Sequence, residues 1–577
     1  MNSPIAPGKR PPSLQRSVGW PDLVVLLAII GLLATLAWLG HGMWMPIRPG
    51  ALPAVDLSAR NLPYYAGRSL LRMFLALGAS LVFTLVVASW AAKSRQAARV
   101  ILPALDILQS VPVLGFLSAT VTFFMGLFPG RLLGLELASI FAIFTGQVWN
   151  LTFAFYHSLV TLPHEQTEAL QLYRLSAWRR FTHFELPAGI IWLVWNGMMS
   201  FGGGWFFLAA SEAITVLNQE LLLPGIGSYL AVAVKAQDMW ALAWALLIMA
   251  LMILLVDRFF WRPLVAWSEK FKLEDSRAAD VPRSSVLSIL QQSRITPWMG
   301  AWLRWMDEAV DSFWQRWLPV RQVPPNAQRE RTMDRVLTAG LWLSLGVLAV
   351  RGTAFVVTNV PWDEGLWVTR LGAATLLRVA LVVVFSLLIW TPAGVWIGLN
   401  PGVAHVAQPI VQILASFPAN FLFPFVTIVF LRYHMSLEWG GALLMALGAQ
   451  WYVLFNTIAG ASAIPNDLRE MTQDLRLRGP LRWQTLILPG IFPAWVTGAL
   501  TAAGGAWNAS IVAEVVSWGD TRLTATGLGA YITEATAKGD WPRIVLGVAV
   551  MSAYVMAANR LVWRPLERLA ENRYKLG

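Results

Sequence analysis

The feature that most restricts the fold of this chain is an apolar run of about 20 residues that recurs along its length. A run of that length is what an α-helix needs to cross the hydrocarbon core of a bilayer. Of the 577 residues, 56% are hydrophobic and only 13% are charged, too little charge to cover a soluble protein of this size. Membrane β-strands would alternate over about ten residues, a pattern that the sequence does not display. The sequence therefore predicts an all-α polytopic membrane protein.

About twelve transmembrane helices are predicted, six in each half of the chain. The predicted spans are 23–40, 69–91, 100–125, 135–159, 188–210, 239–260, 336–358, 371–398, 404–431, 438–460, 490–512 and 541–562. The first span is followed by no small-residue cleavage site, so it is expected to be a retained helix. If the N-terminus is cytoplasmic, most basic residues fall in cytoplasmic loops, as the positive-inside rule requires. The sequence thus predicts a multi-pass protein of a bacterial-type inner or plasma membrane, with both termini in the cytoplasm.

The two halves form an internal repeat. A shift of 302 positions superimposes Glu168 on Glu470 and Trp205 on Trp507. The same shift superimposes Trp149 on Trp451, Leu186-Pro187 on Leu488-Pro489, Glu212 on Glu514, Gly225-Ile-Gly on Gly527-Leu-Gly, and Trp261-Arg-Pro-Leu on Trp563-Arg-Pro-Leu. Because six spans is an even number, the two halves keep the same orientation in the membrane. The repeat is therefore parallel, related by an axis along the membrane normal.

A linker of residues 263–334 joins the halves on the predicted cytoplasmic side. Its later part carries Trp298, Trp302, Trp305 and Phe313 near helical spacing, with charged residues free to occupy the other face. This pattern predicts an amphipathic helix near 297–317. Two placements stay open for it, the inner membrane interface or a surface of the protein itself.

Two charged segments between predicted spans have nearly the same layout. "EALQLYRLSAWRRFTHFELP" begins at Glu168, and "EMTQDLRLRGPLRWQTLILP" begins at Glu470. Each follows a proline and acidic residues, which suit the N-terminus of a helix. A single segment of this kind would be a plain loop, but two copies at one offset indicate a partner with two equivalent grooves.

These segments resemble the EAA loop of permeases from binding-protein-dependent ABC importers. Glu168, Ala169, Leu186 and Pro187 match its pattern in the first half, and Glu470, Leu488 and Pro489 match it in the second. The aromatic positions Trp178 and Phe181, and the stretches "GGGWFFLAASEAI" and "GGAWNASIVAEVV", look like the nitrate/sulfonate/taurine branch. The sequence departs from the motif where Arg174 and Arg476 replace its glycine, with Gly479 three residues later, and where Met471-Thr472 replaces Ala-Ala.

The resemblance implies a type I ABC importer permease fold, with two permease domains fused in one chain. The implied parts are an N-terminal tail (1–22), a first permease domain (23–262) with coupling loop 161–187, the linker (263–334), a second permease domain (335–566) with coupling loop 463–489, and a C-terminal tail (567–577). The residues expected to couple to an ATPase are Glu168, Ala169, Leu170, Arg174, Leu186, Pro187, Glu470, Met471, Arg476, Gly479, Leu488 and Pro489. Expected partners are two ATP-binding subunits, most simply a homodimer, a soluble substrate-binding protein and the lipid bilayer.

The chain itself is not expected to be an enzyme. It contains no GxxxxGK[ST] phosphate loop, so ATP and Mg²⁺ are expected on the partner subunits. No catalytic or metal-binding spacing occurs among its six histidines, and it has no cysteine. The net charge of +12 is explained by topology rather than by a nucleic acid partner.

Polar side chains in the fifth span of each half are the candidates for the substrate pathway, because such groups are costly in lipid and face a cavity or another helix. They are Asn196, Ser200, Trp205, Glu212, Thr497, Thr501, Trp507, Asn508, Ser510 and Glu514. Packing against neighbouring helices is the alternative for each. Ser110-Val-Pro and Ser416-Phe-Pro predict breaks in the third span of each half, because proline removes a helical hydrogen bond.

The substrate implied by the resemblance is a small anion or organic solute, with ferric iron or thiamine as the alternative for a fused permease. A secondary transporter is a less favoured reading, since it should carry ionisable groups within its spans and few are expected there. A membrane-embedded enzyme is disfavoured, because it would need a group of catalytic residues and the sequence offers none.

Overall fold

The computed structural model describes residues 19–46, 55–162, 176–216, 219–271, 284–317 and 327–574, and these are almost entirely helical. They divide into two compact units. The first unit holds residues 1–40, 163–191 and 258–322, and the second holds residues 41–162, 192–257 and 323–577.

Twelve α-helices and one β-hairpin precede residue 318 within the described ranges. The helices are α1 (Trp20–Met43), α2 (Leu62–Lys93), α3 (Arg95–Ser110), α4 (Leu117–Leu127), α5 (Leu133–Val160), α6 (Ala177–Arg180), α7 (Leu186–Glu212), α8 (Ile226–Ala236), α9 (Met239–Val256), α10 (Arg262–Ser268), α11 (Ser285–Gln292) and α12 (Ile295–Trp317). Short 3₁₀ turns occupy Ala59–Asn61, Val113–Phe116 and Glu269–Phe271, and π turns occupy Phe181–Glu185 and Asp257–Trp261. The hairpin pairs β1 (Ala213–Val216) with β2 (Gln219–Leu222).

The described residues after 326 repeat this order. The helices are α13 (Ala327–Asn359), α14 (Trp362–Leu399), α15 (Pro401–Ser416), α16 (Phe423–Arg432), α17 (Leu437–Ser462), α18 (Asn466–Asp474), α19 (Gly479–Arg482), α20 (Leu488–Ala513), α21 (Leu528–Lys538), α22 (Trp541–Ala558) and α23 (Arg564–Arg573). A 3₁₀ turn occupies Ala419–Phe421, and π turns occupy Trp483–Ile487 and Asn559–Trp563. The hairpin pairs β3 (Val515–Trp518) with β4 (Thr521–Thr524), with Val515 opposite Thr524.

The predicted spans correspond to these helices. Nine described helices are long and apolar enough to cross a membrane by length and composition, and the bent pair 95–109 and 113–127 makes a tenth. The two other predicted spans, 188–210 and 404–431, fall on α7 and on the pair α15 and α16. The all-α polytopic prediction is confirmed. The two small hairpins, which follow the fifth span of each half, were not anticipated from the sequence.

The predicted breaks in the third spans are confirmed. The helix α3 ends at Ser110, and the chain resumes after Pro112 with an axis bent by 84°. In the second half α15 ends at Ser416, and a 3₁₀ turn follows Pro418. Each proline lacks the N–H that would continue the helix, so backbone groups become available at that level of the bundle.

The Leu-Pro pairs lie inside continuous helical turns and not directly after a loop. The amide of Leu186 donates to the carbonyl of Phe181, and the amide of Leu488 donates to the carbonyl of Trp483. These bonds span five residues, the wide turn of a π-helix. The next residue is a proline, which has no N–H to donate. The wide turn therefore accommodates this proline inside the helix.

The core of the second unit combines residues of both repeats. One hydrophobic cluster includes Leu117 and Leu135 from the first repeat together with Leu444, Ala502 and Met551 from the second. Small residues let the helices approach closely, as in other membrane bundles. At Gly204 an added Cβ would lie 2.6 Å from Nε2 of Gln147, which accounts for the glycine run 202–204 by packing.

Candidate functional site

A cavity of about 560 Å³ lies inside the second unit. Its walls include residues from both third-span breaks and both fifth-span helices, α7 and α20. The hydrogen-bonding side chains on its walls are Gln109, Thr145, Asn150, His157, Tyr452, Thr497, Thr501, Asn508, Asn559 and Glu567, and the large aromatic ones are Trp149, Phe153, Phe206, Phe207, Phe417, Trp507 and Trp563. In the described part of the chain no Lys or Arg lines it. The cavity therefore offers hydrogen-bonding groups, including the carboxyl group of Glu567, and aromatic surface.

Each break contacts the fifth-span helix of the other repeat. The Asn508 Oδ1 atom accepts a hydrogen bond of 3.2 Å from the amide of Val113, directly after the first break. The Asn420 Nδ2 atom, after the second break, donates to the carbonyl of Phe206 at 3.4 Å. Phe206 and Asn508 are counterparts at the 302-residue shift. The cavity is thus bordered by crossed contacts between the repeats.

The predicted pathway residues fall into three groups. Thr497, Thr501, Trp507 and Asn508 line the cavity. The described residues that line the cavity do not include Asn196, Ser200, Trp205 or Ser510. Trp205 is 1% exposed and packs edge to face on Phe201, with ring centroids 5.5 Å apart. The third group, Glu212 and Glu514, belongs to two buried ion networks.

The first network joins three helices at one end. Arg72 on α2 donates to Glu136 at the start of α5 through Nε (2.5 Å) and Nη2 (2.8 Å), and to Glu212 at the end of α7 through Nη1 (2.6 Å). Arg68 also donates to Glu136, and the Ser69 hydroxyl donates to Glu212 at 2.6 Å. The four charged side chains are completely buried. Two arginines balance two glutamates, which is the condition under which buried charges are tolerated.

The second network repeats this arrangement with one cation fewer. Arg378 on α14 donates to Glu514 at 2.9 Å and to Glu438 at the start of α17. Thr375 donates to Glu514 at 2.8 Å, as Ser69 does to Glu212. Ala374 stands where the repeat would place a second arginine. The excess negative charge is tolerated because the Glu438 side chain is 43% exposed and remains in contact with solvent.

The Gly-x-Gly motifs after the hairpins receive the same glutamates. The amide of Gly227 donates to Glu212 Oε2, and the amide of Gly529 donates to Glu514 Oε2, each at 2.7 Å. Both glycines lie in the first turn of a short helix, where the helix dipole favours an anion. A Cβ at Gly527 would lie 2.2 Å from the Glu514 carboxylate, so only glycine fits there. The motif is therefore explained by the carboxylate, which packs against one glycine and accepts a hydrogen bond from the amide of the other.

Five charged members of these networks were not predicted from the sequence: Arg68, Arg72, Glu136, Arg378 and Glu438. The expectation that few ionisable groups lie within the spans is wrong for this end of the helices. The signal was present, because an arginine inside an apolar span is costly and recurs in both halves. The arginines are 306 positions apart whereas the glutamates are 302 apart, so a single shift does not align them.

The predicted first coupling segment is only partly described. Glu168, Ala169, Leu170 and Arg174 lie outside the described residues. Leu186 and Pro187 follow the π turn at the start of α7. In the second half Leu488 and Pro489 take the same position at the start of α20.

The predicted second coupling segment forms the short helix α18, which has an inner and an outer face. Leu468 packs on a cluster that includes Ile464 and Ile487, and Thr472 is buried. Glu470 and Met471 are exposed on the outer face, and Met471 is 50% exposed. The segment thus presents a charged and apolar surface on a firmly packed base.

Arg469 fixes this helix to the preceding span. Its Nη2 donates to the carbonyls of Ala461 (2.7 Å) and Ser462 (3.2 Å), the last turn of α17. A cation is favoured there because unsatisfied carbonyls carry the negative end of the helix dipole. Partial burial and the neighbouring Arg482 lower the pKa of the Arg469 guanidinium from its usual value.

The helix α18 ends where the EAA pattern carries its glycine. Arg476 occupies that position with φ = 53°, in the left-handed region. The amide of Leu477 donates to the carbonyl of Thr472 at 3.0 Å, closing the end of the helix as a left-handed cap does. Gly479 also has a positive φ of 54°. The backbone keeps the shape that glycine favours even though arginine stands there.

Comparison with known proteins bears directly on these repeats. The model of the family described as "Binding-protein-dependent transport system inner membrane component" matches the chain twice, over residues 81–260 and 390–562. The chain belongs to this family. It is an ABC transporter permease in which two copies of the family domain are fused. Each copy contains one third-span break, one fifth-span helix and one hairpin.

Curated relatives of the permease are transport proteins for small solutes. It is 27% identical over 201 residues to the bicarbonate transport system permease protein of Synechococcus elongatus, covering 35% of this chain and 68% of that protein. It is 25% identical over 200 residues to the nitrate import permease protein of Leptolyngbya laminosa, covering 35% and 67%. It is 27% identical over 209 residues to the taurine transport system permease protein of Escherichia coli, covering 36% and 70%. The permease family is a transport component and not itself catalytic.

Proposed function

We propose that this permease imports a solute through the cavity lined by its two repeats, driven by ATP hydrolysis on separate subunits. The observation that carries the proposal is that both third-span breaks and both fifth-span helices converge on one cavity. Discontinuous membrane helices expose backbone groups at substrate sites of transporters, and rocking of one repeat against the other alternates access. Crossed contacts such as Asn508 to Val113 are suited to transmit that motion, because each links the break of one repeat to the other repeat.

The exposed face of α18 is proposed to dock in a groove of an ATP-binding subunit. It combines Glu470 and Met471 on a base held by Leu468 and Arg469, so a force on the helix would reach the core of the bundle. The repeat assigns the same role to Glu168, with Ala169, Leu170 and Arg174 around it. Two docking segments call for two ATP-binding subunits, most simply a homodimer that carries ATP and Mg²⁺. A soluble binding protein would deliver the solute from the opposite side of the membrane. The proposal has both termini of the permease on the ATPase side, in the cytoplasm.

The cavity walls favour an organic solute over a bare inorganic ion. Aromatic faces such as Trp149 and Trp507 bind apolar or planar surface, while Gln109 and Asn508 offer hydrogen bonds. An inorganic anion would gain from a cation on the wall, and none of the described lining residues is Lys or Arg. Ferric iron would need several oxygen ligands. Taurine-like zwitterions and thiamine-like heterocycles both suit these walls better than nitrate, bicarbonate or iron.

Affinity purification tests the coupling proposal. The tagged permease is extracted gently from its native cells, alone and with the double change Glu168→Arg and Glu470→Arg, and its partners are identified by mass spectrometry. The matched control is Glu534→Arg, an exposed glutamate on α21 that pairs with Lys538. We expect an ATPase with a phosphate-binding loop to copurify with the parent and the control but not with the double variant.

Solute uptake tests the proposed substrate class and the role of the cavity. Cells with and without the permease are given labelled taurine, thiamine, bicarbonate, nitrate or iron, and uptake is measured with Asn508→Ala as the cavity variant. Uptake of an inorganic ion alone would contradict the solute class. Failure to find any ATPase, together with uptake into vesicles that lack ATP, would replace the importer with a secondary transporter.

A further inference from the structure

The linker helix α12 carries three distinct faces. Around its axis, at about 100° per residue, Asp307 and Asp311 share one side, and Met306 lies on the other side from Glu308. Large apolar side chains cover the side that includes Met306. Their exposed fractions are 71% for Trp298, 43% for Met299, 51% for Trp302, 55% for Leu303, 65% for Trp305 and 38% for Met306. So much exposed aromatic surface on one helix calls for an apolar partner.

The acidic face of α12 is already occupied. Asp307 accepts a hydrogen bond from the indole of Trp178 at 2.8 Å, and Asp311 pairs with Nε of Arg179 at 2.8 Å. The hydroxyl of Ser176 also donates to Asp311, which is itself buried. These partners belong to the end of the first coupling segment, directly before Leu186-Pro187. The acidic face therefore holds that segment.

The beginning of α12 is fixed to the end of a membrane span. Asp22, in the first turn of α1, accepts hydrogen bonds from the hydroxyl of Ser293 (3.0 Å) and from the amide of Arg294 (2.6 Å). Since α1 is apolar enough to cross the bilayer, its first turn marks the level of the membrane surface. The helix α12 thus starts at that surface, with its Trp-rich face uncovered by the described residues.

We propose that α12 is a bilayer-surface helix that seats its Trp-rich face in the lipid interface and holds the first coupling segment there with Asp307 and Asp311. Trp and Met suit this depth because an indole combines an apolar ring with an N–H that reaches water. The helix has no strong basic character, so apolar insertion and not charge attraction drives the contact. The description of residues 161–187 as a coupling segment rests on the proposed function, whereas the lipid contact does not.

Among the described residues, the second repeat makes no equivalent attachment. The positions equivalent to Ser176, Trp178 and Arg179 are Arg478, Pro480 and Leu481. The indole donor is missing, leucine replaces the arginine that pairs with Asp311, and arginine replaces the serine, so this set of three donors is not repeated. Within the described parts of the chain, the first coupling segment alone is therefore tied to such a helix, which makes the two proposed ATPase-facing sides of the permease unequal.

The absence of cysteine in the chain makes site-specific labelling direct. Nitroxides are attached at Met306→Cys and, as the matched control, at Glu308→Cys in the full chain in phosphatidylcholine–phosphatidylglycerol nanodiscs. Accessibility to oxygen and to a water-soluble nickel chelate is then measured. We expect the label at 306 to be reached by oxygen and shielded from nickel, and the label at 308 to be reached by nickel.

Two results would overturn the lipid contact. Equal nickel access at 306 and 308 would place the helix in water, and shielding of 306 from both reagents would mean that protein covers the face.

The hold on the coupling segment is tested separately with a label at Ala177→Cys, with Leu481→Cys as the control in the second repeat. Changing Asp307 and Asp311 to Asn should increase the mobility of the first label alone. No change in that mobility would refute the hold, and neither readout depends on ATPase binding.

Discussion

Loss of Arg72 should destabilise the permease more than any change at its surface. Arg72 makes four hydrogen bonds, two to Glu136, one to Glu212 and one of 3.0 Å to the carbonyl of Pro224. In Arg72→Met, Glu136 keeps Arg68, but Glu212 loses its charged partner while remaining completely buried. Breaking a buried pair in this way costs about 3–5 kcal/mol.

A double-mutant cycle isolates the pair. Glu212→Gln alone should cost about 1–3 kcal/mol, because Arg72 keeps its bonds to Glu136. The double variant leaves the neutral pair Arg68 and Glu136, so its loss should be smaller than the sum of the single losses by about 2 kcal/mol. The free energy of unfolding is measured by SDS titration of purified protein in mixed micelles.

An exposed pair provides the control for this cycle. Lys235 and Glu220 are 62% and 53% exposed, and such pairs contribute about 0–1 kcal/mol. A coupling energy for Arg72 and Glu212 as small as that of Lys235 and Glu220 would refute the reasoning, because it would mean that water or rearrangement relieves the unpaired Glu212.

Three further changes test the motifs and the cavity. Gly527→Ala places a methyl group against the Glu514 carboxylate and should lower the apparent melting temperature and the yield of folded protein, whereas Gly78→Ala, with open space around it, should leave both unchanged or slightly raised. Arg476→Gly should raise the free energy of unfolding by about 1 kcal/mol in SDS titration, because glycine adopts the positive φ without a steric penalty; a loss of stability would show that the exposed arginine makes an unrecognised contact. Asn508→Leu removes the acceptor for the Val113 amide and should cost about 1–3 kcal/mol by the same titration together with a loss of uptake; unchanged uptake would remove Asn508 from the pathway.

The outline of the protein could be predicted from local patterns. Apolar runs set the helices, and the prolines after Ser110 and Ser416 set the breaks, because both effects act within a few residues of the chain. The 302-residue shift predicted the repeat, and the family model matches both copies. The boundaries of the permease domains and the coupling roles of Glu168 and Glu470 stay predictions, since they depend on partners.

The sequence could not predict which residues contact each other across the helix bundle. Trp205 and Trp507 are equivalent in sequence, yet only Trp507 lines the cavity, because the two repeats pack with different neighbours around these positions. Glu212 was a candidate for the pathway, but a buried carboxylate is placed by its counter-ions, and Arg72 lies 140 positions away.

Local sequence patterns are enough to predict where helices form and where they break, because hydropathy and proline act locally, and the repeated motifs predict that the chain is duplicated. The packing of the helices sets which charges meet, which polar residues face the cavity and which predicted coupling segment contacts the linker helix. Those outcomes depend on contacts between residues 60 or more positions apart in the chain, as between Arg378 and Glu438 or between Trp178 and Asp307, and a single sequence carries no local record of them.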